Sequence, residues 1–308
     1  MSPKLILIAL GGNALIREGQ RGTAEEQFAN LKIPMRQIAR LSREHRIVIT
    51  HGNGPQAGNL LLQQESCREV PRMPLEIIVA MTQGQIGYMI ESTLDEALME
   101  IGVMTEQLFL SLISYVVVDP ADPAFRHPTK PIGPFYTEEE ARRLPYPTVR
   151  TDKGFRRVVA SPRPLAIVEH REIRKLIEMG FIVICCGGGG IPVVREERTF
   201  RGVDAVIDKD LASAVLATEI RADLFVIATD VPGVCLDHGT PQACLLGEVR
   251  AEELARHHAR GQFPAGSMGP KVEALLQFHR ATGNPGVICR IEEIEQAVRG
   301  EAGTRLIA

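Results

Sequence analysis

The feature that most constrains the fold is a recurring pattern in which a short apolar run ends at a glycine-containing turn and an amphipathic stretch follows. The clearest runs are Leu5–Leu10, Arg46–Thr50, Phe181–Cys186 and Leu224–Ala228. Short, nearly continuous apolar runs are typical of strands buried in a parallel sheet. Strands that alternate with helices in this way predict an α/β fold built around a mainly parallel sheet.

The turns after these runs favour the binding of small anions. They are Gly11–Asn13, His51–Gly54, Gly187–Gly190 and Thr229–Val234. The carboxyl ends of parallel strands lie on one edge of the sheet, where ligands bind in open α/β folds. Glycine lets backbone N–H groups approach an anion closely, and a following helix N-terminus adds partial positive charge. Each turn alone is equally well explained as a tight turn, but four on one edge indicate a phosphate or carboxylate site.

The composition argues against several classes of protein. The chain has 308 residues, of which 44% are hydrophobic and 24% are charged, and its formal net charge is −3. This balance gives no basic footprint for nucleic acid, and Leu5–Leu10 is too short to span a membrane. No signal peptide is apparent, so we expect a cytoplasmic protein. The six cysteines show no CxxC spacing, which favours reduced thiols over a disulfide or metal framework.

The segment 119–162 departs from the main pattern because it contains eight prolines. Such proline density argues against the interior of a sheet or a helix. A structureless loop of about 40 residues is uncommon in a compact unit. We therefore predict that this segment is an inserted subdomain or lid.

Two other prolines lead to predictions about helices. Pro34 lies within a predicted helical stretch, Ala24–His45, and would kink or break it. Pro164 is predicted to open a helix that Gly180 closes.

Three lysines lie at positions that suit phosphate chemistry. Asp208 is a suitable N-cap for the helix that follows, and Lys209 stands between it and Asp210. A lysine held by carboxylates can neutralise charge on a moving phosphoryl group, although a helix cap with a solvated charge is the plainer explanation. Lys271 lies at the start of another predicted helix, where its positive charge is unfavourable beside the helix dipole unless an anion compensates for it. Lys130 lies in the proline-rich segment, where composition alone predicts an exposed loop lysine.

Two other chemistries have weaker support. His51 follows a strand and precedes glycines, and a packing histidine is favoured there over a catalytic base. The sequence contains no GxxxxGK[ST] motif, and Gly52–Gly58 is one residue too long for GxGxxG. A nicotinamide-dependent reductase of the Rossmann type is therefore only a weak second interpretation.

Nine short stretches of the chain, taken together, resemble the carbamate kinases, a family within the amino-acid kinase superfamily. They are Ala9–Leu15, Thr50–Gly58, Gln83–Tyr88, Pro128–Tyr136, Ser161–Pro164, Cys186–Val193, Ala205–Ser213, Thr229–Val234 and Gly261–Lys271. The stretches span nearly the whole chain in the order that the family shows. The set is highly specific, although its individual members are not.

The resemblance implies a three-layer αβα sandwich around a mainly parallel sheet, with a protruding lid subdomain at 119–162. It implies an N-terminal lobe, 1–215, for carbamate or carbamoyl phosphate, and a C-terminal lobe, 216–308, for the nucleotide. The family's usual reaction is the reversible conversion of ADP and carbamoyl phosphate to ATP and carbamate. Mg²⁺ is expected to accompany the nucleotide, with no metal ligands assigned on the protein. A homodimer is also expected.

The resemblance assigns roles to residues at matching positions. The expected catalytic residues are Lys209, Lys271, Lys130 and Asp210, of which Asp210 orients the lysines. The backbone N–H groups expected to hold carbamate and the transferred phosphoryl group are those of Gly11, Gly12, Asn13, Gly52 and Asn53. The residues expected on the nucleotide side are Asp230, Val234, Met268 and Lys271.

One position departs from the wider superfamily, in which many members have a lysine two residues before the first glycine pair. Here that position is Ala9. A phosphoryl-transfer site depends on positive charge for electrostatic stabilisation, and Lys209 and Lys130 are the available replacements, as in carbamate kinases. Two further hypotheses stay open. They are a related kinase that acts on another carboxylate or carbamate-like acceptor, and a non-enzymatic nucleotide-binding or regulatory protein.

Overall fold

The computed structural model describes residues 3–67, 69–103, 107–151 and 154–307, except for the side chain of Pro134. The predicted lobe limits at residues 1 and 308, and residues 152–153 of the predicted insertion, lie outside this part of the chain.

Strands β1 to β17 are, in chain order, Leu5–Leu10, Arg46–His51, Phe109–Ser111, Tyr115–Val118, Lys130–Tyr136, Thr148–Thr151, Gly154–Val159, Pro164–Ile167, Ile182–Ile184, Ile191–Glu196, Thr199–Gly202, Leu224–Thr229, Cys235–Leu236, Cys244–Leu245, Glu248–Arg250, Gly286–Arg290 and Thr304–Ile307. Helices α1 to α9 are Ala24–Leu41, Gly54–Ser66, Leu75–Glu100, Glu138–Ala141, His170–Glu178, Lys209–Glu219, Ala251–Ala259, Met268–Thr282 and Ile294–Arg299.

The largest sheet has eight strands in the order β15-β17-β16-β12-β1-β2-β9-β3. Strands β16, β12, β1, β2, β9 and β3 run parallel to one another, whereas β17 is antiparallel to β16 and pairs in parallel with β15. The predicted α/β fold with a mainly parallel sheet is therefore confirmed.

Helices cover both faces of this sheet because its strands are apolar on both sides. All six residues of β1 are buried. Leu5, Leu7 and Ala9 pack in one core with residues of α5 to α8. Ile6, Ile8 and Leu10 pack in the other core with residues of α1, α3 and α9. Burying each large apolar side chain stabilises the fold by about 1.5–3 kcal/mol, and the three-layer αβα arrangement follows.

The proline-rich segment contains a sheet of its own, which its proline content had argued against. Within this segment, β5, β7 and β6 form an antiparallel three-stranded sheet in that order, called the small sheet below. Pro131 and Pro134 lie inside β5, so the expectation that such prolines exclude strand structure was wrong. The physical reason is that β5 is an edge strand, where a residue without an N–H group leaves no neighbouring carbonyl unpaired.

The structure bears on two predictions about prolines in helices: Pro34 does not divide its helix, and Pro164 does not open one. Pro34 is buried within a single α1, whose Leu31, Met35 and Ile38 pack in the core. This packing and the Thr23 capping box offset the cost of an interior proline, which is about 3 kcal/mol. Pro164 opens β8, not a helix, because it pairs with Val118 at the edge of the β11-β10-β4-β8 sheet.

In the described part of the chain, no helix combines the length and apolar character that crossing a membrane requires.

Candidate active site

A cavity of about 270 Å³ lies at the carboxyl ends of the central strands, beside the turns after β1 and β2. Its lining residues are Gly12, Gly52, Asn53, Gly54, Pro55, Ala57, Leu75, Lys130, Ile132, Gly188, Val206, Ile207, Asp208, Lys209, Asp210, Gly266, Ser267, Pro270 and Lys271. Glycine turns and the N-termini of α2, α6 and α8 meet here. The predicted convergence of separate segments on one edge of the sheet is therefore seen directly.

The centre of the cavity wall is a buried group of one carboxylate and two ammonium groups. Lys209 Nζ contacts Asp210 Oδ1, and Lys271 Nζ lies 3.1 Å from Asp210 Oδ2. The three side chains are only 12%, 16% and 4% exposed for Lys209, Lys271 and Asp210. Two positive charges share one negative charge, so the group has an excess of positive charge beside the cavity.

The pKa shifts of these three groups follow from burial and mutual attraction. Burial acts to raise the pKa of Asp210, but the charges of Lys209 and Lys271 outweigh it and lower the pKa to about 2. Burial lowers the pKa of Lys209, and the like charge of Lys271 adds to this. Burial also acts to lower the pKa of Lys271, but the carboxylates of Asp210 and Asp208 outweigh it and raise the pKa. Asp210 is thus held ionised and can anchor both lysines.

Lys130 joins the same cavity from the small sheet. Its Nζ lies 2.9 Å from Asp208 Oδ2, and the lysine side chain is 36% exposed. The other oxygen, Asp208 Oδ1, accepts a hydrogen bond of 3.0 Å from the amide of Asp210 and caps α6. Composition alone predicted an exposed loop lysine, whereas the structure places Lys130 against the capping carboxylate.

The glycine turns differ in what their backbone amides can still bind. Gly11 N donates to Ala228 O at 2.8 Å, and Gly52 N donates to Leu10 O at 3.1 Å. These bonds extend the sheet and occupy two of the amides that were expected to hold the ligand. Gly12 begins a 3₁₀ turn, Gly12–Ala14, and the first amides of a helix have no intrahelical acceptor. Of the five backbone amides expected to bind the ligand, those of Gly12, Asn13 and Asn53 therefore remain as candidates.

Gly52 also has a steric role. A Cβ atom at this position would lie 3.4 Å from Lys209 Cδ and 3.6 Å from Gly12 N. The absence of a side chain lets the first glycine turn, the second turn and the stem of Lys209 come together.

The four-glycine turn after β9 holds Asn53 in place. Gly188 has a φ of +66°, and a Cβ atom there would lie 2.2 Å from Asn53 Nδ2. Asn53 Nδ2 donates to Thr82 Oγ1 at 2.9 Å. Asn53 is therefore fixed by a residue of α3 on one side and by bare backbone on the other.

His51 lies behind the cavity and does not line it. It is 1% exposed, and its Nδ1 lies 3.0 Å from Gly52 O. Burial lowers the pKa of His51 to about 4, and the charge of Lys209 acts in the same direction. A neutral, packed imidazole agrees with the structural role favoured for this residue.

The residues predicted for the nucleotide side are more dispersed. Asp230 is exposed after β12, and its charge contributes to the raised pKa of Lys271. Met268 is the half-buried first residue of α8. Val234 is fully buried in the core, and its amide donates to Thr304 Oγ1 at 2.8 Å. Val234 is not among the residues that line the cavity.

Sequence reasoning did not select two residues that shape the site. Asp208 was interpreted as a helix cap and as one of the two carboxylates beside Lys209, but not as the partner of Lys130. Gln83 Nε2 donates to Gly187 O at 3.1 Å and to Ser114 O at 3.2 Å, which ties the four-glycine turn to α3. The signal for Asp208 was its place beside Lys209 and Asp210, and Gln83 lies in one of the family-like stretches.

The described residues contain no group of three or more His, Cys, Asp or Glu side chains that could hold a metal ion. The carboxylates at the cavity, Asp208 and Asp210, are both bound by lysines.

Comparison with known proteins gives a consistent result along the whole chain. The model of the amino acid kinase family matches residues 4–290. Carbamate kinase from Pyrococcus furiosus is 46% identical over 313 residues, with 99% of each chain covered. Carbamate kinase from Haemophilus influenzae is 46% identical over 306 residues, which cover 98% of this chain and 96% of that protein.

Solved structures agree with these relatives. The structure of carbamate kinase from Giardia lamblia bound to AMP-PNP is 40% identical and has a TM-score of 0.92, with 99% of this chain and 98% of that chain covered. A structure from Aeropyrum pernix is 44% identical, also has a TM-score of 0.92, and 99% of each chain is covered. The matching sequences and the shared fold show that the chain belongs to the amino acid kinase family and, within it, to the carbamate kinases.

Proposed function

We propose that this protein catalyses the reversible transfer of a phosphoryl group between carbamoyl phosphate and ADP, giving ATP and carbamate. The observation that carries this proposal is the attachment of Lys209 and Lys271 to opposite oxygens of buried Asp210, at a glycine-lined cavity. The full-length carbamate kinase relatives support the choice of substrates. The transfer is in line and forms no covalent enzyme intermediate.

In this proposal, Lys209 and Lys271 stabilise the charge on the transferring phosphoryl group. Phosphoryl transfer asks the protein mainly for positioning and for charge stabilisation. Charges that are held in a buried site before the reaction need no reorganisation during it. Asp210 supplies this preorganisation because its two oxygens hold the two lysines.

The backbone amides of Gly12, Asn13 and Asn53 are assigned to the phosphoryl group of carbamoyl phosphate. Lys130 approaches the same cavity from the small sheet and is assigned to the carbamate end. In the resting arrangement its ammonium group binds Asp208 at 2.9 Å. Together with Lys209, Lys130 supplies the charge that Ala9 does not.

The nucleotide side is assigned to the start of α8 and to the turn after β12. Lys271 and Met268 lie on the first turn of α8, and Asp230 follows β12. Mg²⁺ is expected to enter bound to the nucleotide phosphates, which usually provide much of its coordination in kinases. This fits the described cavity, where the carboxylates are already paired with lysines.

The wider organisation is proposed on similar grounds. Residues 1–215 are assigned to carbamoyl phosphate and 216–308 to the nucleotide, with 119–162 as a lid. A homodimer is supported by exposed apolar side chains on one face of α3, namely Ile77, Met81 and Tyr88. The six cysteines are free, which suits a protein of the reducing cytoplasm.

The direct test is ATP formation. Purified protein would be incubated with carbamoyl phosphate and MgADP, and ATP measured with luciferase against an enzyme-free control. We expect turnover well above the non-enzymatic rate, and a much lower rate with acetyl phosphate. No ATP above the control would contradict the proposal. Faster turnover with another acyl phosphate, or with another acceptor in the ATP-consuming direction, would instead favour a related kinase with a different acceptor.

A further inference from the structure

The small sheet that carries Lys130 is attached to the rest of the protein at three places along β5. At one end, Lys130 binds Asp208. Further along, β5 lies close to α2, because a Cβ atom at Gly58 would be 3.2 Å from Gly133 Cα. At the other end, Tyr136 lies within hydrogen-bond reach of Glu65, near the C-terminus of α2. Lys130 and Tyr136 are six residues apart, which is about 20 Å along a strand.

The third attachment is a polar cluster centred on Glu65. Tyr146 OH donates to Glu65 Oε1 at 3.0 Å, and Tyr136 OH donates to Glu65 Oε2 at 3.3 Å. The two hydroxyl oxygens are 3.1 Å apart. Burial raises the pKa of both tyrosines, so both hydroxyls stay protonated and available as donors. One carboxylate thus binds two different segments of the insertion.

A half-buried arginine completes the cluster from the middle strand of the small sheet. The guanidinium of Arg157 lies 4.5 Å from the centre of the Tyr146 ring. Its Nη2 is 3.8 Å from Asp204 Oδ2, and among the described residues its buried Nε has no hydrogen-bond partner. Arg157 is paired with Ile132 of β5. The cluster therefore reaches from α2 through Tyr146 to the strand next to Lys130.

The apolar contact under the small sheet is limited. Its cluster consists of the buried side chains Leu75, Ile132 and Val159, with Leu61 and Val206 half-buried beside them. A contact of this size leaves the tilt of the sheet dependent on its polar attachments. Because Gly58 and Gly133 touch between the two ends of β5, a tilt at the Tyr136 end moves Lys130 relative to the cavity.

We infer that Glu65 is a positioning residue for Lys130. By binding Tyr136 and Tyr146 it sets the tilt of the small sheet on α2, and so the approach of Lys130 to the carbamate end of the cavity. This inference rests on the role proposed above for Lys130. The same helix begins at Gly54, which lines the cavity, so α2 relates the glycine turn to the sheet that carries the lysine.

The test is steady-state kinetics of Glu65→Ala and Tyr146→Phe, with carbamoyl phosphate and MgADP varied separately. Tyr146→Phe keeps the ring beside Arg157 and removes only the hydroxyl, so it tests the cluster even if Glu65→Ala folds poorly. Hydrogen bonds to a charged group are strong enough for their loss to change an equilibrium by about 10-fold. We expect the KM for carbamoyl phosphate to rise by about that factor in Glu65→Ala and less in Tyr146→Phe. The KM for ADP and kcat are expected to change by less than about threefold.

Two comparisons separate positioning from general damage. Glu138→Gln changes an exposed glutamate of the same insertion, paired with Arg142, and is expected to behave like the wild type. In a Lys130→Ala background, Glu65→Ala is expected to have no further effect, because residues that act through one another are not additive.

An unchanged KM for carbamoyl phosphate in both Glu65→Ala and Tyr146→Phe would overturn the inference. An equal further loss in the Lys130→Ala background would overturn it as well. Failure of the proposed function is distinct, because the wild-type protein would then form no ATP.

Discussion

At the level of single residues, Asp210 controls how much positive charge the site presents. Its carboxylate is 4% exposed and binds Lys209 and Lys271, one on each oxygen. An isolated buried carboxylate would be costly, and so would two adjacent ammonium groups. The three groups stabilise one another and leave one net positive charge. In the proposed mechanism, the negative charge of the phosphoryl group balances this remaining positive charge.

The first prediction concerns these two lysines. Lys209→Ala and Lys271→Ala are each expected to lower kcat/KM by about 10²–10⁵-fold, because each removes a charge that the proposed mechanism assigns to the transferring group. Luciferase-coupled kinetics provide the measurement. Lys32→Ala, which removes an exposed lysine paired with Glu96 on another face, is the control and is expected to retain activity. Wild-type turnover in both active-site variants would refute the assigned roles.

The second prediction concerns His51 and pH. Burial lowers the pKa of His51 to about 4, below its usual value of about 6.5. At a pH between these two pKa values, His51 binds a proton in the unfolded chain but not in the folded protein. The stability of the folded protein therefore falls as the pH falls through this range. From pH 7 to pH 5 this costs about 2 kcal/mol in the free energy of unfolding.

Urea unfolding of the wild type and of His51→Gln at both pH values measures this effect. The variant is expected to lose about 2 kcal/mol less between the two pH values, because its side chain does not titrate. Equal losses in the two proteins would rule out His51 as the source.

At the level of secondary-structure elements, the four-glycine turn after β9 shows why the site needs bare backbone. Gly188 approaches Asn53 so closely that no side chain fits between them. Gln83 of α3 donates a hydrogen bond to the carbonyl of Gly187. The turn therefore sets the position of Asn53 at the N-terminus of α2, where an anion can be bound.

The third prediction compares two glycines with similar backbone strain. Gly188 and Gly180 have φ values of +66° and +88°, but a Cβ atom at Gly180 would meet nothing within 4 Å. Gly180→Ala is expected to lose about 1–2 kcal/mol of stability from strain alone and to keep its activity. Gly188→Ala is expected to lose about 10²-fold in kcat/KM as well, because Asn53 must move. Thermal unfolding and kinetics together make the comparison, and equal activity in the two variants would contradict it.

At the level of the whole molecule, exposed apolar side chains lie at one end of the central sheet and on one face of α3. Strand β3 is the last in the order, and Leu108 and Ile113 beside it are exposed. On α3, Ile77, Met81 and Tyr88 are exposed at spacings of four and seven residues, which places them on one helix face. Exposed apolar patches of this kind mark association surfaces, and they support the proposed homodimer.

The fourth prediction concerns this surface. The wild type is expected to have a solution mass of twice 33.8 kDa by light scattering. Met81→Glu is expected to shift the equilibrium toward the monomer, because a charge on the patch must be desolvated on association. Met179→Glu, which changes a methionine that is 68% exposed elsewhere, is expected to remain dimeric. A monomeric wild type, or a dimeric Met81→Glu, would argue against this surface.

Local sequence was sufficient for much of the fold. The runs around β1, β2, β9 and β12 were predicted as strands because two-sided burial leaves an apolar signal in the chain itself. Asp208 was predicted as the cap of α6, because capping depends on neighbouring residues. Where a proline occurred, local reasoning was less successful, since the outcome depends on whether it lies at a sheet edge or in a packed core. Pro131 and Pro34 are the examples.

The sequence by itself determined which residue types were available: glycine turns at strand ends, a lysine between two aspartates, and two further lysines. Only the tertiary structure decided which of them meet. Lys271 and Asp210 are 61 residues apart, and Lys130 and Asp208 are 78 residues apart. Their contact, their burial and the resulting pKa shifts depend on how the sheet brings distant segments to one edge. The number of residues between two side chains does not predict whether they touch, because three-dimensional packing determines their contact.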